Sequence, residues 1–211
     1  EYLLELMYKN PDIGCSTGKI FYEKPKDSIW YGGGYRHPLH KSALHFGEGK
    51  VNSDKYNIEK SVEFISGCCM FFRKNVIQDL GPFIKEYIAY SEDNEFCWRA
   101  INKGYNLYYY PKAVIWHKVS ASVKQNKSDL KNFNNISSFA WYLMIRNNLW
   151  TIRYHGGSFF NKSSALFFNI LIELRLICTA IFNFNLKATW NIIKATYAGL
   201  LFRLPKRKDK F

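Results

Sequence analysis

The apolar positions of the chain fall into two rhythms. Up to about residue 118, short apolar blocks rich in aromatic and β-branched residues alternate with turn formers, and a few segments show helical spacing; beyond residue 132 the spacing is helical throughout. Residues 1–9 read as the end of an amphipathic helix, stopped by Asn10-Pro11-Asp12. Residues 13–22 read as a strand interrupted at Gly14-Cys15-Ser16-Thr17-Gly18. Ile29-Trp30-Tyr31 is a short strand running into Gly32-Gly33-Gly34, where missing side chains permit close backbone approach of a ligand or of another strand. Residues 35–60 are polar and read as one long loop, an element that in a compact domain often binds something. Residues 62–72 are strongly apolar and read as a buried strand kinked or turned at Ser66-Gly67. A short helix over 74–80 and a turn at Gly81-Pro82-Phe83 follow.

Ser91-Glu92-Asp93-Asn94-Glu95-Phe96-Cys97-Trp98-Arg99 opens the next helix, over 92–103. Phe96, Cys97, Ala100 and Ile101 make its apolar face, Ser91 is placed to cap it, and Lys103-Gly104 is a C-terminal stop. Glu92 and Asp93 then lie in the first turn, where the helix dipole favours the ionised form. A carboxylate held there can take a proton from an incoming hydroxyl, or can simply cap the helix. Residues 106–110 and 113–116 read as two strands joined at Pro111-Lys112, with His117 at the end of the second, where functional groups of α/β sheets gather. Residues 133–154, about 163–182 and 186–202 read as helices, the last two joined at Asn183-Phe184-Asn185.

At 211 residues, 47% hydrophobic and 18% aromatic, the composition fits a folded chain with a sizeable core and excludes disorder. The formal net charge is +13, and it is uneven: residues 144–211 carry a net +9, residues 1–143 a net +4. The five cysteines (Cys15, Cys68, Cys69, Cys97, Cys178) are odd in number and lack a C-x-x-C spacing. They read as buried free thiols of a reducing compartment. His37, His40 and His45 fit no common zinc spacing and read as part of a surface loop. The chain shows no signal peptide and no initiator Met, and it opens on what looks like a helix already under way, as a fragment would.

Residues 165–202 are apolar but interrupted by Glu173, Arg175, Lys187 and Lys194, and so do not read as a transmembrane helix. They read as two amphipathic helices, followed by a basic tail of Arg203, Lys206, Arg207, Lys208 and Lys210. Such a module suits the anionic surface of a cytoplasmic leaflet; the alternative is a helical hairpin packed on the domain with a solvated tail. No nucleic-acid recognition motif is present, and the positive charge lies among aliphatic rather than stacking positions, which excludes nucleic acid as the expected partner.

The order of Val62-Glu63-Phe64-Ile65-Ser66-Gly67-Cys68-Cys69-Met70-Phe71-Phe72-Arg73, Leu80-Gly81-Pro82-Phe83, Tyr90-Ser91-Glu92-Asp93, Cys97-Trp98-Arg99, Gly104-Tyr105, Tyr110-Pro111-Lys112-Ala113 and His117-Lys118-Val119-Ser120-Ala121-Ser122 resembles family 2 glycosyltransferases over about residues 10–155. The nearest likeness is to the rhamnosyltransferase-like branch, whose Arg-Asn-rich helix after the catalytic domain is similar to Arg146-Asn147-Asn148-Leu149. The resemblance implies an α/β GT-A fold, a Rossmann-like mixed sheet, with amphipathic helices after it. It divides the chain at 1–131, the acceptor-side part of the catalytic domain, and 132–211, a helical, basic, membrane-associated module. It implies a nucleotide-sugar donor, a glycan or lipid-linked oligosaccharide acceptor, and Mg²⁺ or Mn²⁺ as the divalent metal. The catalytic base maps onto Asp93, with Glu92 beside it; the glycine loop maps onto Ser66-Gly67; the metal-binding histidine maps onto His117. Trp30, Tyr31 and Trp98 can stack on a sugar ring or pack in the core, and Arg99 joins Trp98 as a candidate substrate contact. The Asp-x-Asp metal motif and the first nucleotide-binding strands have no match, and both are expected upstream of residue 1, so the chain alone is expected to be inactive. The missing Gln-x-x-Arg-Trp motif of processive enzymes points to transfer of a single sugar. The expected place of work is the inner face of a bacterial cell membrane. The competing expectation is a non-catalytic, membrane-associated carbohydrate-binding or scaffold module.

Overall fold

In the computed structural model, which describes residues 1–118 and 137–201, strand β1 (Ile13–Tyr22) is buried from Ile13 to Phe21. Consecutive burial means that both faces are covered, as in the centre of an α/β sheet. β7 (Asn106–His117) lies parallel to it, from Ile13 opposite Asn106 to Tyr22 opposite His117. Two short strands share the other edge of β1, both antiparallel: β6 (Phe71–Phe72) beside Cys15 and Ser16, and β2 (Ile29–Tyr31) beside Ile20 and Phe21. β5 (Lys60–Ser61) pairs antiparallel with the far side of β7, completing a mixed sheet of order β2-β1-β7-β5.

The glycine interruption expected in β1 is a pair of register shifts, at Ile13/Cys15 and Thr17/Lys19. A Cβ on Gly18 would lie 2.4 Å from the carbonyl oxygen of Ala113, so the glycine is there to admit β7. The two strands expected over 106–116 are one. Tyr109 pairs with Thr17 and Val114 with Lys19, so residues 110–113 bulge opposite Gly18. Pro111, which has no N–H for the ladder, sits inside that bulge.

The loop expected over 35–60 is also corrected. β3 (Gly34–Arg36) and β4 (Ala43–His45) form an antiparallel hairpin, and residues 54–56 make a 3₁₀ turn. Strands of three residues leave too little alternation to be read. The triple glycine serves the chain itself: a Cβ on Gly34 would lie 2.3 Å from the Phe64 carbonyl oxygen, and one on Gly32 2.9 Å from that of Phe46. Residues 62–72 are not one strand. Phe64 makes a lone bridge to Gly34, Gly67–Cys69 is a 3₁₀ turn, and β6 follows. Their apolarity reflects burial of Val62, Phe64 and Ile65 in the main core.

Helices α1 (Tyr2–Lys9), α2 (Lys74–Leu80) and α3 (Glu92–Asn102) stand where the periodicity puts them. Beyond α3, Gly104 has φ +89°, its N–H bonds to Ile101 O and the Tyr105 N–H to Ala100 O, a glycine-dependent helix stop. α4 (Ser138–His155), α5 (Phe159–Phe182) and α6 (Leu186–Leu201) form a second core around Ile145, Leu149, Ala180, Ile192 and Ala195. The basic tail and the boundary expected at residue 131 lie outside the described residues. Only Cys15 and Cys97 are buried thiols; Cys68 and Cys178 are exposed, and Cys68-Cys69 sits in the 3₁₀ turn, not on a strand.

α5 is more apolar than its charged positions suggest. By length and composition it is apolar enough to cross a membrane, and 22% of its most apolar stretch is buried. Glu173 does not break its apolar character, because it turns inward and accepts a 2.6 Å hydrogen bond from Thr196 Oγ1 on α6. Phe159, Phe160, Phe167, Phe182, Phe184 and Trp190 are exposed on this hairpin.

Gly34→Ala is expected to lower the unfolding free energy by about 1–3 kcal/mol, the usual cost of overpacking, because its nearest neighbour is backbone that cannot swing away. Urea unfolding measures it, and a wild-type midpoint would contradict this packing.

Candidate active site

Asp93 sits in the first turn of α3. Ser91 precedes the helix in the left-handed conformation (φ 65°) and makes no side-chain cap, contrary to its expected role. Asp93 itself accepts the local bonds: Oδ1 from the Asn94 N–H at 2.8 Å and Oδ2 from the Gly67 N–H at 2.9 Å. Burial raises its pKa above the ordinary 3.8, and these backbone donors pull it part of the way back. Glu92 is half-buried, and its Oε2 has no hydrogen-bond partner among the described residues. Burial, and then the neighbouring charge of Asp93, push its pKa up as well.

The partner of Asp93 belongs to the turn that precedes β6. Ser66 is buried, and its Oγ accepts from the Cys68 N–H at 3.3 Å, which fixes the turn. Gly67 has no left-handed φ, and a Cβ there would approach nothing nearer than 3.6 Å, the Asp93 side chain. The fold therefore does not require a glycine at this position. Cys68 Sγ lies 3.5 Å from His117 Nε2 at the end of β7. The His117 ring meets Trp30 edge-on at 4.7 Å, and Trp30 meets His45 at 4.3 Å. Burial lowers the pKa of both histidines, that of His45 to about 4, so both imidazoles are neutral at physiological pH. His37 and His40 stack on each other at 3.8 Å near the hairpin tip.

Asp93, Glu92, Ser66, Gly67, His117 and Trp30 are thus gathered around one turn. Trp98 and Arg99 are not. The Arg36 guanidinium covers the Trp98 ring at 3.9 Å, and Arg36 Nε donates to Asn94 Oδ1 at 3.3 Å. Arg99 is spent on the protein: Nε bonds to both Glu95 oxygens (2.8 and 2.9 Å), and the remaining nitrogens bond to the carbonyls of Leu80, Gly81 and Pro82. His155 Nε2 joins Glu95 at 3.0 Å. Burial works to raise the Glu95 pKa, but the bonds from His155 and Arg99 outweigh it and hold the carboxyl below its ordinary value.

The chain reaches Asp93 through strained backbone. Ile88 (φ 66°, ψ −62°) is the centre of a γ-turn closed by the Ala89 N–H on Tyr87 O at 2.7 Å, and Tyr90 and Ser91 are also left-handed (φ 67° and 65°). Each such residue costs roughly 1–3 kcal/mol, so the surroundings must hold it. The donors come from α4: Asn147 Nδ2 lies 2.9, 2.8 and 2.8 Å from the carbonyl oxygens of Tyr87, Ala89 and Tyr90, and Arg146 Nη2 lies 2.9 Å from that of Glu86. The sequence does not single out Arg36, it reads His45 as a loop histidine and Cys68 as a buried thiol, and Asn147 enters only through the family resemblance. The available signal for Asn147 was the polar run Arg146-Asn147-Asn148 between the apolar Ile145 and Leu149.

Among the described residues no three His, Cys, Asp or Glu side chains are grouped to hold a metal ion. His117 offers one nitrogen beside a thiol, whereas hard divalent cations want several oxygens, so these residues by themselves do not make a Mg²⁺ or Mn²⁺ site. What the arrangement does offer is a half-buried carboxylate of raised pKa, aimed by a backbone N–H, next to a turn without a side chain.

The family model described as glycosyl transferase family group 2 matches residues 5–204. No curated protein matches the chain.

Gly67→Ala is expected to fold with an unchanged thermal midpoint, since the added methyl meets only ordinary van der Waals contacts. A fall of several degrees would mean that the turn, and not a ligand, demands the glycine.

Proposed function

The chain belongs to glycosyl transferase family group 2, and from that premise we propose that it moves a single sugar, with inversion, from a nucleotide-sugar donor to a hydroxyl of a cell-surface polysaccharide or lipid-linked oligosaccharide, with Asp93 as the base. The family makes it a glycosyltransferase, and its mixed sheet with C-terminal helices is a GT-A-like arrangement. Inversion, the acceptor class and the rhamnosyltransferase-like branch are our reading of the motifs around Ser66-Gly67, Ser91-Glu92-Asp93 and Arg146-Asn147.

The observation that carries the reading is the 2.9 Å bond between the Gly67 N–H and Asp93 Oδ2. It joins the two motif positions across separate elements and holds one carboxylate oxygen, leaving the other lone pairs to meet an acceptor hydroxyl. In the displacement, the acceptor oxygen attacks the anomeric carbon as the bond to the nucleotide diphosphate breaks on the opposite face. Asp93 takes the hydroxyl proton, and its raised pKa makes the ionised carboxylate a stronger base than an ordinary aspartate. Gly67 lets the sugar approach the backbone, Ser66 shapes the turn, and Trp30 presents an aromatic edge beside His117. Glu92, with its unpartnered oxygen, is the second carboxylate in reach of the turn. Family 2 enzymes generally use a divalent metal, which would offset charge on the departing diphosphate. Among the described residues His117 is the candidate ligand, and the proton transfer to Asp93 does not run through it. The exposed aromatic face of α5 and α6, followed by the basic tail, supports peripheral attachment of residues 132–211 to the cytoplasmic face of the membrane.

In the protein made from its full coding sequence, Asp93→Asn is expected to cut release of nucleotide diphosphate from a nucleotide-sugar panel by about 10²-fold or more. Wild-type kcat should fall as pH drops through a midpoint above 3.8, because a raised carboxylate pKa loses its ionised form early on acidification. Release that survives the substitution would move the base to Glu92. No release with any donor would favour the carbohydrate-binding module. Separately, Phe182→Asp with Phe184→Asp should abolish co-sedimentation with anionic lipid vesicles while the fold stays intact, and retained binding would remove this surface from the attachment.

A further inference from the structure

The segment before Asp93 is held in a conformation it would not keep alone, and a single residue of α4 supplies most of the hold. Asn147 is fully buried. Its amide has one orientation: Oδ1 accepts from Arg146 Nε at 2.9 Å, which turns Nδ2 toward the carbonyls of Tyr87, Ala89 and Tyr90, where two hydrogens are shared among three acceptors. Arg146 is itself fixed over the Trp150 ring at 4.3 Å and reaches Glu86 O and Tyr87 O. One turn further on, Thr151 Oγ1 lies 3.0 Å from the Tyr87 hydroxyl and donates to Asn147 O at 2.9 Å. Apart from the two bonds within α4, these fall on the path of residues 86–90, which contains the γ-turn at Ile88 and leads to left-handed Tyr90 and Ser91. The first bond of α3, from the Glu95 N–H to Ser91 O at 2.9 Å, starts where that path ends. Asp93 lies between those two residues, and its partner Gly67 belongs to a different element, so an ångström of movement in the path breaks their bond. The far end of α4 meets α3 again through His155 and Glu95, so α4 fixes α3 at two points.

We propose that Asn147 is a positioning residue for sugar transfer: by gripping the carbonyls of Tyr87, Ala89 and Tyr90 it sets the start of α3 and thereby the bond between Asp93 and the Gly67 N–H. The proposal rests on the reading of Asp93 as the base. It assigns the Arg146-Asn147 pair a task in the chemistry, beyond packing one helix on another.

The test compares Asn147→Ala, the milder Asn147→Ser (which keeps one donor) and Asp93→Asn in the full-length enzyme. Thermal unfolding first defines the folded fraction. Per folded enzyme, the Asn147 variants should lose roughly ten- to hundredfold in kcat, as a catalytic group displaced by about 1 Å does, with donor KM within about twofold of wild type. The acid limb of kcat should move to higher pH, because losing the Gly67 donor removes an interaction that favours the ionised carboxylate. The other groups facing Asp93 are Glu92 and Cys97 on α3, Cys68 in the 66–69 turn and Tyr31 on β2, and none of them bonds to Asn147. Amide exchange at Gly67 should quicken in the same variants, a readout that needs no turnover. Folded variants with unchanged kcat, acid limb and Gly67 exchange would overturn the proposal, and lower yield alone would count as that outcome. If Asp93→Asn is dead while the Asn147 variants behave as wild type, the positioning role fails and the base stands. If Asp93→Asn stays active, the base reading fails and takes the positioning role with it.

Discussion

Parallel strands cannot be joined by a tight turn, and the parallel pairing of β1 with β7 imposes that condition on most of the molecule. Everything from β2 to α3 is the connection between those two strands. It has to leave the sheet, cover it and return. The chain does so with the hairpin of β3 and β4, the 66–69 turn, β6 against the free edge of β1, and then α2 and α3. The candidate site is assembled from this connection and from the end of the strand it leads to. Gly67 lies just before the chain rejoins the sheet, Asp93 begins the last helix before β7, and His117 ends β7. Three positions far apart in sequence meet because one pairing closes the path between them.

The C-terminal helices are bonded into this arrangement on two sides. α4 reaches the segment before α3 through Asn147 and Arg146, and α3 itself through His155. On the other side, Asn148 Nδ2 donates to Ser42 Oγ and Asn169 Oδ1 (3.0 and 2.8 Å), while Asn169 Nδ2 donates to His40 O at 2.8 Å. These bonds join the tip of the β3–β4 hairpin to α4 and α5. Each buried neutral bond adds only about 1 kcal/mol net. Their directionality matters more: an apolar interface alone would let the helices slide, whereas three adjacent asparagine-centred contacts accept one register.

Much of the framework was legible from the sequence. Pro11 and Gly104 mark helix ends, the periodicity of Phe96, Cys97 and Ala100 marks α3, and Asn183-Phe184-Asn185 marks the last turn. The hairpin was not, because Gly34–Arg36 and Ala43–His45 are too short to alternate visibly. β7 reads as two strands because Pro111 is a strong breaker, and only the bulge opposite Gly18 lets the strand continue through it. Within the site, residue types pointed to Asp93, and a family resemblance pointed to Gly67 and His117; their adjacency follows from the crossover, which no local pattern encodes. Trp98 and Arg99 carry chemistry suited to binding sugars, yet Arg36 covers the first from the β3–β4 hairpin, outside the local pattern, and Glu95, one turn earlier on α3, binds the second. α5 shows the same limit. Glu173 reads as an interruption until Thr196 turns it inward.

Asn147 lies well downstream of the carbonyls it holds, and that order has a consequence for how the protein is born. Synthesis runs from the N-terminus, and chain segments begin to fold as they emerge. Residues 86–91 leave the ribosome before α4 exists, with three carbonyl oxygens still lacking their amide partner and with left-handed residues free to relax. The geometry around Asp93 is therefore completed only when the later helix has been made and docked. A nascent or prematurely ended chain would carry every side chain of the carboxylate turn without its arrangement. Catalytic competence would thus wait until α4 has been made and docked, as the helices bearing the exposed aromatic face follow it.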